Sequence, residues 1–232
     1  MSAQEFAPGL VIQHFAPPLQ LSSFKAIAFD MDSTLISIEC IDEIADAVGK
    51  KAEVAAITEA AMRGEITDFK DSLRRRVALL KGVPAEALQE VYDQRLKINP
   101  GAPELIHAAK AAGLQTLLVS GGFTFFADRV KARLGMHEAH SNTLEIEGGL
   151  LTGQVLGDIV DGEAKKQHLL ALCARIGCDP KQSIAVGDGA NDLPMMGVSG
   201  LSVAYHAKPK VREQAMVAIQ SGGLDRVLEL LR

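Results

Sequence analysis

The sequence predicts an α/β fold: a doubly wound, mostly parallel sheet with a small helical unit inserted after its first strand. Three observations lead there. Short apolar runs at residues 25–30, 115–120, 182–187 and 200–204 have the character of strands buried on both faces. Helical patterns or turn-rich connections separate them, and strands alternating with helices imply an open parallel sheet with right-handed crossovers. The stretch 39–97 is helical in pattern and far longer than the roughly one dozen residues a parallel crossover needs.

Taken in chain order, residues 1–24 read as an extended N-terminal arm. Pro8, Pro17 and Pro18 break its apolar stretches and the first basic residue is Lys25, so it lacks the pattern of a secretory signal. The run Lys25-Ala-Ile-Ala-Phe-Asp30 is a buried strand ending in an acid. In 39–97, Ile41, Ile44, Ala45 and Val48 recur at helical spacing, as do Val77, Leu80 and the apolar residues after Pro84. That length has room for about four helices, which makes 39–97 a separate cap. Asn99-Pro100-Gly101 marks the return to the core, because the residue before proline leaves helical space. Residues 25–38 and 98–232 then form one Rossmann-like core. Within it, 142–157 reads as a hairpin centred on Gly148-Gly149.

The bulk composition excludes several roles. A chain of 232 residues, 47% hydrophobic and 23% charged, can bury a full core. A net charge of -5 argues against nucleic-acid binding, and the dense basic run Arg74-Arg75-Arg76 reads as a solvated helix face. Cys40, Cys173 and Cys178 lack metal or redox spacing, so a reducing compartment and a core role for Cys40 and Cys173 are expected. No run reaches the roughly 18 to 20 apolar residues of a membrane span. The expectation is a cytoplasmic monomer or homodimer with a small-molecule substrate and no nucleic-acid or membrane partner.

In open parallel sheets, ligands bind at the carboxyl ends of the strands. Asp30, Ser120 and Asp188 stand at or just past such ends. Asp30-Met31-Asp32 places two carboxylates where both can face one point, one ionised as nucleophile and one protonated as general acid. Alone, the pair reads better as a solvated turn. Gly187-Asp188-Gly189-Ala190-Asn191-Asp192 adds acids which, with Asp30, gather hard oxygen ligands suited to Mg2+ and a phosphate. Ser120-Gly121-Gly122, leading into a helix near Phe123, is either a phosphate cradle or a serine cap with a flexible turn. Lys165, early in the helix before the 182–187 strand, is either a surface lysine or a neutraliser of phosphoryl charge.

Asp-x-Asp-x-Thr, then Ser after a strand, then Lys, then Gly-Asp-x-x-x-Asp, with a helical insert after the first motif, resembles the haloacid dehalogenase (HAD) superfamily of phosphohydrolases. The resemblance runs from about residue 25 to the C-terminus and extends to members acting on phosphoserine. It includes Ser72-Leu73-Arg74-Arg75-Arg76-Val77, Ser120-Gly121-Gly122-Phe123 and Ala207-Lys208-Pro209. It implies hydrolysis of O-phospho-L-serine, the last step of serine biosynthesis, with Asp30 as nucleophile and Asp32 as general acid, then base. It implies Mg2+ on the Asp30 and Asp188 side chains and the Asp32 carbonyl, with Asp192 behind the metal. Ser120, Gly121, Lys165 and Asn191 would contact phosphate, Glu39 the ammonium and Arg76 the carboxylate, with Met62 and Phe69 closing over the substrate. Longer members carry an N-terminal regulatory domain, for which 1–24 is too short, so feedback by that route is not expected. A same-fold phosphotransferase using homoserine as acceptor, or a phosphatase for another small metabolite, would share these motifs. A receiver domain would lack both the insert and the second aspartate.

Overall fold

The computed structural model describes residues 3–62 and 65–232, and for residues 61 and 62 the backbone alone. Two short strands, β1 (Gln4–Ala7) and β2 (Leu10–Ile12), precede the first fully buried one, β3 (Ala26–Phe29). Four helices follow: α1 (Cys40–Ala47), α2 (Lys51–Met62), α3 (Phe69–Ala78) and α4 (Glu86–Gln94). The chain returns through α5 (Ala102–Ala111), β4 (Gln115–Phe123) and α6 (Thr124–Leu134). Next come β5 (Glu138–Glu147), β6 (Leu150–Leu156), α7 (Gly162–Ile176) and β7 (Ser183–Gly187). The last elements are α8 (Leu193–Val198), β8 (Leu201–Tyr205), α9 (Pro209–Gln214) and β9 (Val217–Ile219).

Side chains alternate across a strand, and here both faces are apolar. Ile27 and Phe29 of β3 join Leu118, Ile184 and Val186 in one core layer, against Leu105 and Ile106 of α5 and Phe126 and Val130 of α6. Ala26 and Ala28 point the other way, with Leu117, Val119 and Ala185, against Leu169 and Leu172 of α7 and Met195 of α8. Helices on both faces of a parallel sheet define the doubly wound architecture. The strand order is β1-β2-β9-β8-β7-β3-β4-β5-β6. Parallel pairing runs unbroken from β9 to β5, and β2, β1 and β6 add antiparallel edges. Cys40 and Cys173 are buried in the two cores.

Two expectations change. The extended N-terminal arm is tied to the core: β1 and β2 form a hairpin that extends the main sheet, with Leu10 to Ile12 paired against Val217 to Ile219. Leu10 and Ile12 are buried there, so satisfying the edge and hiding two apolar side chains both favour docking. The strand expected at 115–120, β4, also continues through Ser120-Gly121-Gly122 to Phe123, because its neighbour β5 carries the pairing on to Asn142.

The four helices of 40–94 leave and rejoin the core at one place. Ile36 bridges Ile98, Ser37 N–H donates to Lys97 O, and Asn99 Nδ2 donates to the carbonyls of Thr34 and Ile36. A second tie comes from the β5–β6 hairpin, whose turn uses Gly148 and Gly149 at φ 57 and 81, values that a side chain disfavours. Gly82 N–H donates to Leu151 O and Ala85 N–H to Gly149 O, both at 2.8 Å.

Candidate active site

In strand order β3 stands between β7 and β4, and the chain leaves it toward one side and later fills the other. Ligands bind at that reversal point in open α/β sheets. Asp30 follows β3 directly, held by its N–H to Val186 O at 2.9 Å, while Asp188 follows β7 and Ser120 lies in β4. The chain after Asp30 makes one wide turn with Asp32 extended and Ser33 at φ 57. A non-glycine residue at positive φ stores strain that the surroundings must impose. Ser33 Oγ donates to Glu39 Oε1 at 2.6 Å, linking this turn to the residue that immediately precedes α1.

Beneath the turn lies a buried charge network. Lys165 reaches up from the first turn of α7 and donates to Asp30 Oδ1 at 2.6 Å and Asp192 Oδ1 at 2.7 Å. The other Asp192 oxygen accepts the N–H groups of Asp188 and Gly189 at 3.1 and 3.0 Å, which shapes the loop after β7. A Cβ on Gly187 would collide with that carboxylate, so the position requires glycine. Burial would favour a neutral Lys165 amine, but Asp192 and Asp30 hold it charged and raise its pKa.

The carboxylates respond in the opposite sense. Burial, then Asp192 and Asp188, push the Asp30 carboxyl well above the usual range, against Lys165. Asp188 is pushed up to about 7 by burial, Asp192 and Glu39, with Lys208 and Lys165 opposing. Asp32 is raised to about 8, first by burial and then by Glu39, while Cys40 donates hydrogen bonds that oppose the shift. A protonated carboxyl beside a nucleophile is what a general acid requires.

Asp30, Asp188 and Asp192 each bring a carboxylate oxygen within 4.8 Å of the others. Among the described residues, Lys165 is the one cation buried among them, so the cluster carries excess negative charge when ionised. Hard oxygen donors with uncompensated charge suit a divalent cation.

The cluster floors a cleft of ≈ 790 Å³. Asp30, Asp32, Ser120, Gly121, Asp188 and Asn191 line its base, and Glu39, Phe69 and Arg76 its wall from the helical insertion. Lys165 and Asp192 lie buried behind the base. The Met62 side chain lies outside the described residues. Phe69 closes on the base: a Cβ at Gly121 would come 2.8 Å from its ring. Lys70 reinforces that closure through its 3.2 Å ion pair with Asp161 at the start of α7.

Sequence reasoning missed several lining residues, among them Ser33, Asp42 and Lys208. Lys208 lay in a stretch already noted, and its N–H donates to Asp188 O at 3.2 Å. Asn142 was also missed: from within β5 it donates to Gly121 O and accepts from Val160 N–H, both at 2.8 Å, fixing the end of β4 beside Ser120. A buried amide in a β run was the available signal.

The model of the haloacid dehalogenase-like hydrolase family matches residues 27–197. A protein of a Polaromonas species named phosphoserine phosphatase is 64% identical over 236 residues, covering 100% of both chains. A solved substrate-bound phosphoserine phosphatase complex is 38% identical with a TM-score of 0.84, covering 90% of this chain and 99% of its own. A phospho-aspartyl intermediate analogue of phosphoserine phosphatase is 39% identical at the same TM-score of 0.84 and the same coverage.

Proposed function

Because the chain belongs to the haloacid dehalogenase-like hydrolases, we propose that it hydrolyses O-phospho-L-serine to L-serine and phosphate through an aspartyl-phosphate on Asp30. This is the last step of serine biosynthesis, carried out in the cytoplasm. The observation that carries the proposal is a single cleft with Asp30, Asp32 and Asp188 at its base and Glu39 and Arg76 in its wall. The base suits a phosphate and the wall an amino acid. Residues 39–97 act as the cap and residues 25–38 and 98–232 as the catalytic core, to which the β1–β2 hairpin contributes two strands.

An Asp30 oxygen attacks phosphorus as the bond to the serine oxygen breaks, and Asp32 passes its proton to that oxygen. Asp32, now a carboxylate, takes a proton from water, whose oxygen attacks phosphorus and releases Asp30. Two of the three Lys165 hydrogens are committed to carboxylates, which leaves one for the phosphoryl group. Ser120 Oγ accepts from Gly122 N–H at 2.9 Å, so its own hydrogen can be donated to phosphate, beside Gly121 N–H and Asn191. Asp30, Asp188 and the Asp32 carbonyl would hold Mg2+, which when bound offsets repulsion between the anionic nucleophile and the phosphate. Closure of the cap over Phe69 and Gly121 excludes water from the first step.

Two measurements test these assignments. The raised Asp188 pKa stabilises the metal-free protein at acid pH, and that contribution is lost as pH rises through about 7. The metal-free Tm should therefore fall between about pH 5.5 and 8, by about 2 to 4 °C per kcal/mol at this chain length. Added Mg2+ should raise Tm more at the higher pH, where its ligands are already deprotonated. A magnesium shift independent of pH would remove the carboxylate site.

Specificity is tested in the cap. Losing a charge-assisted hydrogen bond costs about 1.5 to 3 kcal/mol, roughly ten- to a hundredfold in kcat/KM. Arg76→Ala and Glu39→Gln should lower the ratio of kcat/KM for phosphoserine to that for methyl phosphate by that factor. An unchanged ratio in both would remove phosphoserine from the assignment and leave a phosphatase.

A further inference from the structure

Strands β4 and β5 pair with a bulge at the edge of the cleft. From Val119 to Phe123 β4 takes four steps while its partner takes two, from His140 to Asn142. Ser120-Gly121-Gly122 therefore bows out of the ladder. A bulge re-aims a side chain but leaves backbone groups that the neighbouring strand no longer pairs. Here side chains meet them. Gly122 N–H donates to Ser120 Oγ at 2.9 Å, and Gly121 O accepts from Asn142 Nδ2 at 2.8 Å.

Gly121 O and Gly122 N–H belong to one peptide unit. Because that unit is planar, fixing its oxygen fixes the direction of its N–H. Asn142 thus sets the donor that Ser120 Oγ accepts. A hydroxyl has one hydrogen and two lone pairs. An N–H aimed at one lone pair leaves the hydrogen to point elsewhere, into the cleft that Ser120 lines. Asn142 is itself held from the other side, since its Oδ1 accepts from Val160 N–H at 2.8 Å, just before α7. Asn142 and Ser120 are each 1% exposed, so bulk water competes for neither set of bonds.

We propose that Asn142 is a positioning residue for phosphate: by holding the Gly121–Gly122 peptide it turns the Ser120 hydroxyl to donate to the phosphoryl group. The proposal rests on Ser120 as a phosphate donor, and not on which alcohol the phosphate ester carries. Inorganic phosphate and an aryl phosphate are therefore the probes, both with Mg2+ present.

Ser120→Ala should raise the inhibition constant of inorganic phosphate about tenfold, the effect of losing one hydrogen bond to an anion. Asn142→Ala should raise it about fivefold and lower kcat/KM for the aryl phosphate in step. In a Ser120→Ala background the Asn142 change should add little, because it acts through the missing hydroxyl. Mg2+ affinity measured without phosphate should stay the same in Asn142→Ala, since neither Asp30 nor Asp188 takes part in the clamp. Asn142→Thr, whose side chain suits a strand, is the second variant should alanine not fold.

Four outcomes overturn the proposal: an unchanged phosphate inhibition constant in a folded Asn142 variant, additive effects of positions 120 and 142, a matching loss of Mg2+ affinity, or failure of both Asn142 variants to fold. The last would make Asn142 a residue of the fold alone. An unchanged inhibition constant in Ser120→Ala would remove Ser120 as a phosphate donor, and the proposal with it, while the aspartyl-phosphate route would stand.

Discussion

Asp30→Asn should lower kcat for phosphoserine by at least about 10⁴-fold and leave the fold in place. The loss is large because an amide oxygen is a far poorer nucleophile than a carboxylate, and no other carboxylate of the cluster is free to replace it. Both Asp192 oxygens are held, one by Lys165 and the other by the backbone N–H groups of Asp188 and Gly189. Thr34 Oγ1 stands 3.5 Å from Asp188 Oδ1, and Asp188 would be engaged by the metal. The fold should persist because the Asp30 N–H bond to Val186 O involves only backbone, and an Asn oxygen can still accept from Lys165. Removing one of three mutually repelling carboxylates compensates part of the lost ion pair. Beryllofluoride, which mimics a phosphoryl group on a carboxylate, should bind the wild type with Mg2+ and not the variant. The measurements are steady-state phosphate release, Tm and an acid-quench search for phosphorylated protein. Turnover near the wild-type level in the Asn variant would sink the covalent route.

Much of this site could be read from residue order alone, because an apolar run that ends in an acid marks both a buried strand and the edge where ligands bind. Asp30 and Asp188 were legible for that reason. Lys165 was ambiguous: a lone lysine near a helix start is usually solvated, and only Asp30 and Asp192 meeting over it make burial favourable. The choice of Arg76 from three adjacent arginines needed family resemblance, although helix phase supports it. Ser72, Leu73 and Val77 are the buried residues of α3, and position 76 follows Ser72 at i+4 and Leu73 at i+3. Asp42 was hidden because its neighbours Ile41, Ile44 and Ala45 mark the core face of α1 and leave its own direction open. The hairpin of β1 and β2 was missed for another reason. Strands of four and three residues carry too little periodicity, and their place is set by the partner β9, itself only three residues long.

Asp32→Asn should separate substrates by their leaving groups. Burial and Glu39 hold the Asp32 carboxyl up to about 8, so at neutral pH it enters the reaction with its proton. Phosphoserine must expel an alkoxide, which leaves poorly without that proton, and general acid catalysis is typically worth about 10² to 10⁴-fold. The variant should lose about that much on phosphoserine. An aryl phosphate expels a stabilised phenolate and gains little from the acid, so its first step should survive. Its second step should not, because the same residue must then take a proton from water. With an aryl phosphate the variant should therefore release about one equivalent of phenol per enzyme in a burst, then turn over slowly as the aspartyl-phosphate accumulates. Wild type should show no such burst if hydrolysis keeps pace with phosphorylation. Rapid-quench phenol release and phosphate release, compared on the same samples, measure the two steps separately. Equal losses on alkyl and aryl phosphates, with no burst on either, would tell against Asp32 as the residue that first gives and then takes the proton.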